Sequence, residues 1–330
     1  MTPAPSGGPE ELAAAVRSGD RRALAQAITL VESSRPDHRV DANALLDALM
    51  PATGTAVRVG ITGAPGAGKS TFIEALGMQR VEAGDKLAVL AVDPSSTRTG
   101  GSILGDKTRM ERLARESLAF IRPSPSGGTL GGVARRTREA MLVCEAAACD
   151  VVIVETVGVG QSEVAVAGMV DLFVLLIAPG GGDELQGVKR GIVELADLLV
   201  VNKADGDLEA VARRTATDYA SALHLGHAGE GAVPVLTASA LTGAGVSEVW
   251  DAITDAIAAA DASGTRVRRR AEQARAWMWS EVSDTLMDQF RADPAVREQI
   301  TGLERAVVAG EVSPSAAAAR LLDAFRGPRP

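Results

Sequence analysis

Eight consecutive residues, Gly63-Ala64-Pro65-Gly66-Ala67-Gly68-Lys69-Ser70, have the types and spacing of a phosphate-binding loop. The glycines let the backbone turn tightly and aim N–H groups at an anion. Lys69 then reaches the β- and γ-phosphates of a nucleoside triphosphate, and the Ser70 hydroxyl is a ligand for Mg²⁺. With Thr71, these residues are the phosphate-side binding candidates. The alternative is a glycine-rich turn with an incidental lysine. An alternating apolar strand before the loop and a helical composition after it argue against that.

A second group of residues reads the base. Asn202-Lys203-Ala204-Asp205 follows an apolar run at 198–201. An ionised Asp205 accepts hydrogen bonds from guanine N1–H and the 2-amino group. Adenine lacks that amino group and has an acceptor at N1, so it leaves the carboxylate poorly paired. Asn202 bonds the other base edge and the neighbouring loop, and the Lys203 stem covers the ring. Thr237-Ala238-Ser239-Ala240-Leu241 supplies the companion loop, with the Ala240 N–H directed at guanine O6. The expected ligands are GTP and GDP.

Acids for the metal fall at other strand ends. Asp93 follows the run 87–92, and Glu155 follows 151–154 in the place of a simple Walker-B Asp. One or two carboxylates, Ser70 and phosphate oxygens suffice for Mg²⁺, which keeps several waters. Helix N-capping is the alternative role for both acids. Asp106 lies in the glycine-bearing segment 99–110, within reach of the metal or its waters. Gln161, after Gly158 and Gly160, is the candidate for orienting the attacking water. A third glycine-rich segment, 179–190, carries Asp183, Gln186 and Lys189 and reads as a partner-responsive loop.

These residues need a scaffold that gathers strand ends. Strands are expected at 56–61, 87–92, 118–122, 151–155, 172–178, 198–202 and 233–237, with helices between them, for example at 133–148 and 245–259. Continuous apolar runs such as Val151-Val152-Ile153-Val154 suit strands buried on both faces of a mainly parallel sheet. The fold class is α/β, doubly wound, with ligands beyond the C-terminal strand ends. Residues 1–54 read as a helical N-terminal extension, with Asp20 and Asp41 as N-caps. Residues 55–260 form the nucleotide-binding domain. Residues 261–330 read as long amphipathic helices around 266–292, 295–309 and 313–326. The stripe Trp277, Trp279, Leu286 and Phe290 on the first of these packs either on the chain's own core or across a dimer.

Composition narrows the class of protein. Hydrophobic residues make up 46% of the 330, enough for a large core, but aromatics only 3%, so Ala, Val, Leu and Ile must build it. A net charge of −8 argues against a nucleic-acid partner. Arg268, Arg269 and Arg270 read as the solvated face of a helix start. The two cysteines, Cys144 and Cys149, read as small buried hydrophobes in a reducing compartment. With no apolar run of bilayer length and no secretory core, the expectation is a cytoplasmic protein with no membrane partner.

The chain resembles the MeaB/ArgK family of P-loop GTPases, which includes the mitochondrial methylmalonic aciduria type A protein. The matching strings are 63–71, 92–96, 100–110, 155–163, 183–190 and 202–206, and the resemblance covers nearly the whole chain. It implies a SIMIBI-type G domain and a homodimeric GTPase. It also implies a chaperone of adenosylcobalamin-dependent acyl-CoA mutases, chiefly methylmalonyl-CoA mutase, which gates cofactor loading and protects the mutase. By position, Asp93, Asp106 and Glu155 resemble the Mg²⁺-linked acids. Asp183, Gln186 and Lys189 resemble a mutase-sensing switch, and 261–330 resembles the dimerisation arm.

The expected reaction is hydrolysis of GTP to GDP and phosphate, with Lys69, Glu155 and Gln161 as its catalytic candidates. Three other readings compete with this one. A nickel metallochaperone GTPase calls for a His- or Cys-rich stretch, and the chain has three histidines and two cysteines. A P-loop kinase calls for tolerance of ATP, against which Asp205 argues. A nucleotide-bound scaffold without useful hydrolysis is not distinguished by sequence.

Overall fold

The computed structural model describes residues 8–33, 35–92, 110–123, 130–156, 158, 161–180, 190–226 and 233–327. The chain separates into two compact units, Met1–Gln273 and Ala274–Pro330.

The first unit opens with three helices, α1 (Pro9–Arg17), α2 (Arg21–Val31) and α3 (Pro36–Leu49). Asp20 caps α2 as expected, accepting from the Arg22 and Ala23 N–H groups. Asp41 does not begin a helix; it lies inside α3. That helix starts five residues earlier because Pro36 has a helical φ already set and needs no amide partner at its first position.

The remaining elements alternate. They are β1 (Val57–Gly63), α4 (Lys69–Glu82), β2 (Leu87–Val92), β3 (Ala119–Arg122), α5 (Leu130–Ala146), β4 (Val151–Thr156) and α6 (Gln161–Ala167). There follow β5 (Leu172–Ile177), α7 (Arg190–Val193), β6 (Leu198–Val201), α8 (Glu209–Gly226), β7 (Val235–Thr237) and α9 (Val246–Ala262). The seven strands form one sheet in the order β3-β2-β4-β1-β5-β6-β7. Every pairing is parallel.

The sheet is covered on both faces, which is why its strands read as unbroken apolar runs. On β5, Leu172, Val174 and Leu176 join a core with Phe72, Ile73 and Leu76 of α4 and Val249 and Ile253 of α9. Phe173, between them, faces the other way into a core shared with Leu24 and Ile28 of α2, Leu45 of α3 and Val143 of α5. The N-terminal helices thus share one core with the sheet. Leu175 and Ile177 pack with Tyr219 and Leu223 of α8.

Strand order explains where a ligand goes. β1 lies between β4 and β5, whereas the next strand in sequence, β2, sits beyond β4. The chain therefore leaves β1 in opposite directions, and the crevice at its C-terminal end is the binding position of such sheets.

α10 (Thr265–Ala292) begins in the first unit. Its arginines correct the expectation of a solvated face. Arg270 binds Asp171 with Nε and Nη2 and donates to the Gly54 and Ala56 carbonyls. Arg269 binds Asp197 and the Asp171 carbonyl. Only Arg268 of the three is exposed. In the second unit, α11 (Pro294–Val308) and α12 (Pro314–Arg326) follow. Phe290 meets Phe325 edge-on at 5.3 Å there.

Candidate functional site

The phosphate-binding candidates lie where the strand order predicts. β1 ends at Gly63, residues 64–68 turn, and α4 begins at Lys69. Gly68 is the N-cap with φ +87° and supplies no side-chain cap, so the first-turn amides of α4 are left to an anion. The close packing also requires Gly68. A Cβ there would sit 2.6 Å from Asn202 Nδ2. Lys69 is nearly buried, and its Nζ donates to the carbonyls of Gly63 at 2.7 Å and Ala64 at 3.2 Å.

Parallel register places Glu155 opposite Ile61 on the neighbouring strand β4. Its Oε1 accepts from Ser70 Oγ at 2.9 Å. The structure thus joins two of the four expected metal ligands, one from the start of α4 and one from the end of β4. Both are hard oxygen donors, the kind Mg²⁺ requires, so the pair fits that ion. Asp93 and Asp106 lie outside the described residues. Among the described residues, no three His, Cys, Asp or Glu side chains cluster. Gln161 is the first residue of α6, and its side chain is not described. Asp183, Gln186 and Lys189 also lie outside the described residues.

Gly158 carries information that the motif alone hid. It has φ +87°, and a Cβ would lie 2.0 Å from the Gly63 carbonyl oxygen and 3.4 Å from Lys69 Nζ. The backbone after Glu155 therefore runs directly against the phosphate loop.

The base-side candidates form a second cluster. Buried Asn202 donates through Nδ2 to the Ala67 carbonyl at 2.9 Å, and its Oδ1 accepts from the Ala240 N–H at 3.1 Å. It ties the phosphate loop to the 237–241 loop. The Ala240 N–H, expected at guanine O6, is donated to Asn202 in this arrangement. Ser239 Oγ donates to Asp205 Oδ2 and accepts from the Thr242 N–H, which fixes the carboxylate and closes the loop. Lys203 adopts a left-handed backbone, φ 60°, and is exposed; Leu241 is exposed as well. A lysine held in that conformation costs about 1–2 kcal/mol and marks a backbone set by its surroundings.

Sequence reasoning missed the opposite end of the sheet, where the strands begin. Asp150, Asp171 and Asp197 each stand one residue before a strand, and each accepts the N–H of a neighbouring segment, from Lys86, Arg58 and Phe173 respectively. An aspartate directly before three apolar runs was the available signal.

The family model "Methylmalonyl Co-A mutase-associated GTPase MeaB" matches residues 24–295. The Escherichia coli protein named GTPase ArgK is 53% identical over 283 residues, covering 84% of this chain and 85% of its own. A mouse protein named methylmalonic aciduria type A homolog, mitochondrial, is 49% identical over 323 residues, covering 93% of this chain and 77% of its own. The crystal structure of a LAO/AO transport system kinase superposes with a TM-score of 0.75 at 41% identity, covering 97% of this chain and 98% of that one.

Proposed function

We propose, since the chain belongs to the methylmalonyl-CoA mutase-associated GTPase (MeaB) family, that its GTPase cycle serves an adenosylcobalamin-dependent acyl-CoA mutase. The chain is a P-loop GTPase. The finer reading is a chaperone of methylmalonyl-CoA mutase that gates cofactor loading and protects the enzyme. The observation that carries the chemical part is the Ser70–Glu155 hydrogen bond beside Lys69, at the switch point of the sheet.

In this reading residues 63–71 cradle the phosphates with backbone amides. Lys69 leaves the Gly63 and Ala64 carbonyls for the β- and γ-phosphate oxygens. Exchanging neutral carbonyl acceptors for anionic phosphate oxygens favours the move. Ser70 and Glu155, with Asp93 and Asp106, hold Mg²⁺, which supplies charge neutralisation across the phosphates. Asp205, oriented by Ser239, accepts from guanine. Lys203 covers the ring, and Asn202, Ala240 and Leu241 complete the base pocket. Gln161 orients the attacking water. Asp183, Gln186 and Lys189 sense the mutase, so nucleotide state and mutase affinity are linked by one coupling free energy.

We divide the chain functionally into an extension at 1–54, the GTPase domain at 55–260 and a homodimerisation arm at 261–330. Exposed Met278, Trp279, Val282, Leu286 and Met287 on α10 support the arm's role. A cytoplasmic location accords with two free cysteines, Cys144 and Cys149. Among the described residues no helix is long and apolar enough to cross a membrane.

The test is hydrolysis of GTP by the purified protein with and without a cobalamin-dependent acyl-CoA mutase from the same organism, with ATP as control. Stimulation of GTP turnover alone is expected. GTP turnover indifferent to the mutase removes the chaperone reading.

A further inference from the structure

Two strands of the site carry, at or next to their last position, a threonine aimed away from the phosphate loop. On β4, Val151 and Ile153 face the α4 core while Val152 and Val154 face the other side. Glu155 therefore shares the α4 face with Ser70, and Thr156 turns to the opposite face. On β1, Val59 and Ile61 face α4, so Gly60 and Thr62 turn with Thr156. α6 packs on that face beside α5. A Cβ on Gly60 would lie 3.0 Å from Val166 and 3.1 Å from Val170, so the strand and the α6 segment are in direct contact.

At the start of α6 the contact is polar. Thr156 Oγ1 lies 2.7 Å from Thr62 Oγ1 and 3.2 Å from Glu163 Oε1, and Ser162 Oγ donates to Glu163 Oε2 at 3.2 Å. Each hydroxyl has a single proton. If Thr156 donates to the carboxylate, its remaining acceptor takes the proton of Thr62. The result is a directed chain, Thr62 to Thr156 to Glu163, ending on a carboxylate. All four residues are buried, Glu163 and Ser162 completely.

The three elements joined by this chain each carry one part of the catalytic apparatus. Thr62 precedes Gly63, the carbonyl that holds Lys69. Thr156 follows Glu155, the partner of Ser70. Glu163 lies two residues after Gln161. We infer that Thr62, Thr156 and Glu163 are positioning residues of the GTPase reaction. They lock the start of α6 to the ends of β1 and β4, and so fix Gln161 and Gly158 relative to Lys69 and Glu155. The inference rests on the catalytic reading of Glu155 and Gln161 given above. A buried carboxylate held directly by a hydroxyl of β4, which is in turn held by one of β1, suits this task, because side-chain hydrogen bonds with fixed geometry tolerate little displacement. Errors of about 1 Å in a reacting group cost up to about a hundredfold in rate.

The test compares Thr156→Val, Thr156→Ser, Glu163→Gln and the double variant Thr156→Val/Glu163→Gln with the full-length wild type. Single-turnover GTP hydrolysis, GDP affinity and the unfolding midpoint are read on each. Thr156→Val and Glu163→Gln are each expected to lower the hydrolysis rate about tenfold with GDP affinity within about twofold of wild type. Thr156→Ser, which keeps the hydroxyl, restores the rate. The double variant is no slower than the worse single, because both break one chain. Hydrolysis within about twofold of wild type in folded Thr156→Val and Glu163→Gln overturns the inference. So does a rate loss matched by an equal loss of GDP affinity, or a failure of Thr156→Ser to rescue. Glu155→Gln is run alongside. If it is slow while the Thr156 and Glu163 variants are not, the chain alone is refuted. If Glu155→Gln keeps the wild-type rate, the underlying site assignment falls, and the positioning role with it.

Discussion

The two ends of the sheet hold themselves together in different ways. At the C-terminal ends of β1, β4 and β6, the contacts are hydrogen bonds in which at most one partner is charged. Lys69 rests on two carbonyls, Ser70 on Glu155, and Asn202 on Ala67 and Ala240. At the N-terminal ends, the contacts are guanidinium on carboxylate. Arg58 binds Glu145, Arg270 binds Asp171, and Arg269 binds Asp197. A hydrogen bond with one charged partner, such as Lys69 on Gly63 or Ser70 on Glu155, contributes about 1.5–3 kcal/mol net and exchanges for a bond to a phosphate oxygen or a metal. A buried ion pair such as Arg58–Glu145 or Arg270–Asp171 loses several kcal/mol if either partner leaves, and the one-third-exposed Arg269–Asp197 pair loses less. The exchangeable contacts therefore sit where ligands come and go, and the costly ones where nothing needs to move.

Removing a member of each set tests this contrast most directly. Arg270→Ala leaves Asp171, 1% exposed in the wild type, with the Arg58 N–H but no cation from Arg270. It is expected to lower stability by about 3 kcal/mol, measured by urea unfolding, while GTP turnover per folded molecule stays within about twofold. Arg270 itself is held more firmly charged than usual: burial opposes its charge, and hydrogen bonding to Asp171 with the field of Asp171 and Glu145 outweighs it. Lys69→Ala is the counterpart. GTP hydrolysis is expected to drop about a hundredfold or more, with the unfolding midpoint nearly unmoved. Equal stability losses in the two variants would erase the distinction between the ends.

The same contrast governs what could be read from the chain. The strands were legible because Leu172 to Ile177 and Val151 to Val154 are apolar without interruption, and both faces of the sheet are in fact covered. The nucleotide residues were legible because phosphate and guanine demand particular residue types at short spacing. Asp41 misled because a good cap residue was weighed without Pro36 upstream. The ion network was not legible, since Arg270 and Asp171 are 99 residues apart and any acid on the surface was an equal candidate. Thr62 and Thr156 lay between these cases. They stand at the C-terminal ends of largely apolar strands, which signals a polar partner but not its identity.

The smallest expected effect probes an ion pair at the other end. Glu32 pairs with Arg122, which closes β3 at its C-terminal edge. Burial pushes the Glu32 carboxyl above its ordinary value of 4.5, and the hydrogen bond and charge of Arg122, with the charge of Arg136, only partly oppose that. The folded protein thus holds this proton more tightly than the unfolded chain. The stabilisation that proton gives is fully present below pH 4.5 and is lost as pH rises through the raised folded value. Wild type should therefore lose stability relative to Glu32→Gln as pH climbs from 4.5 towards neutrality, measured by urea unfolding of both proteins at stepped pH. If ion pairs are structural wherever they occur, KM and kcat for GTP at neutral pH will match in the two proteins. A stability difference flat across this range would show that Glu32 gains no excess protonation on folding. A change in GTP turnover would tie this edge of the sheet to the site and replace the contrast between ends with one between edge and centre.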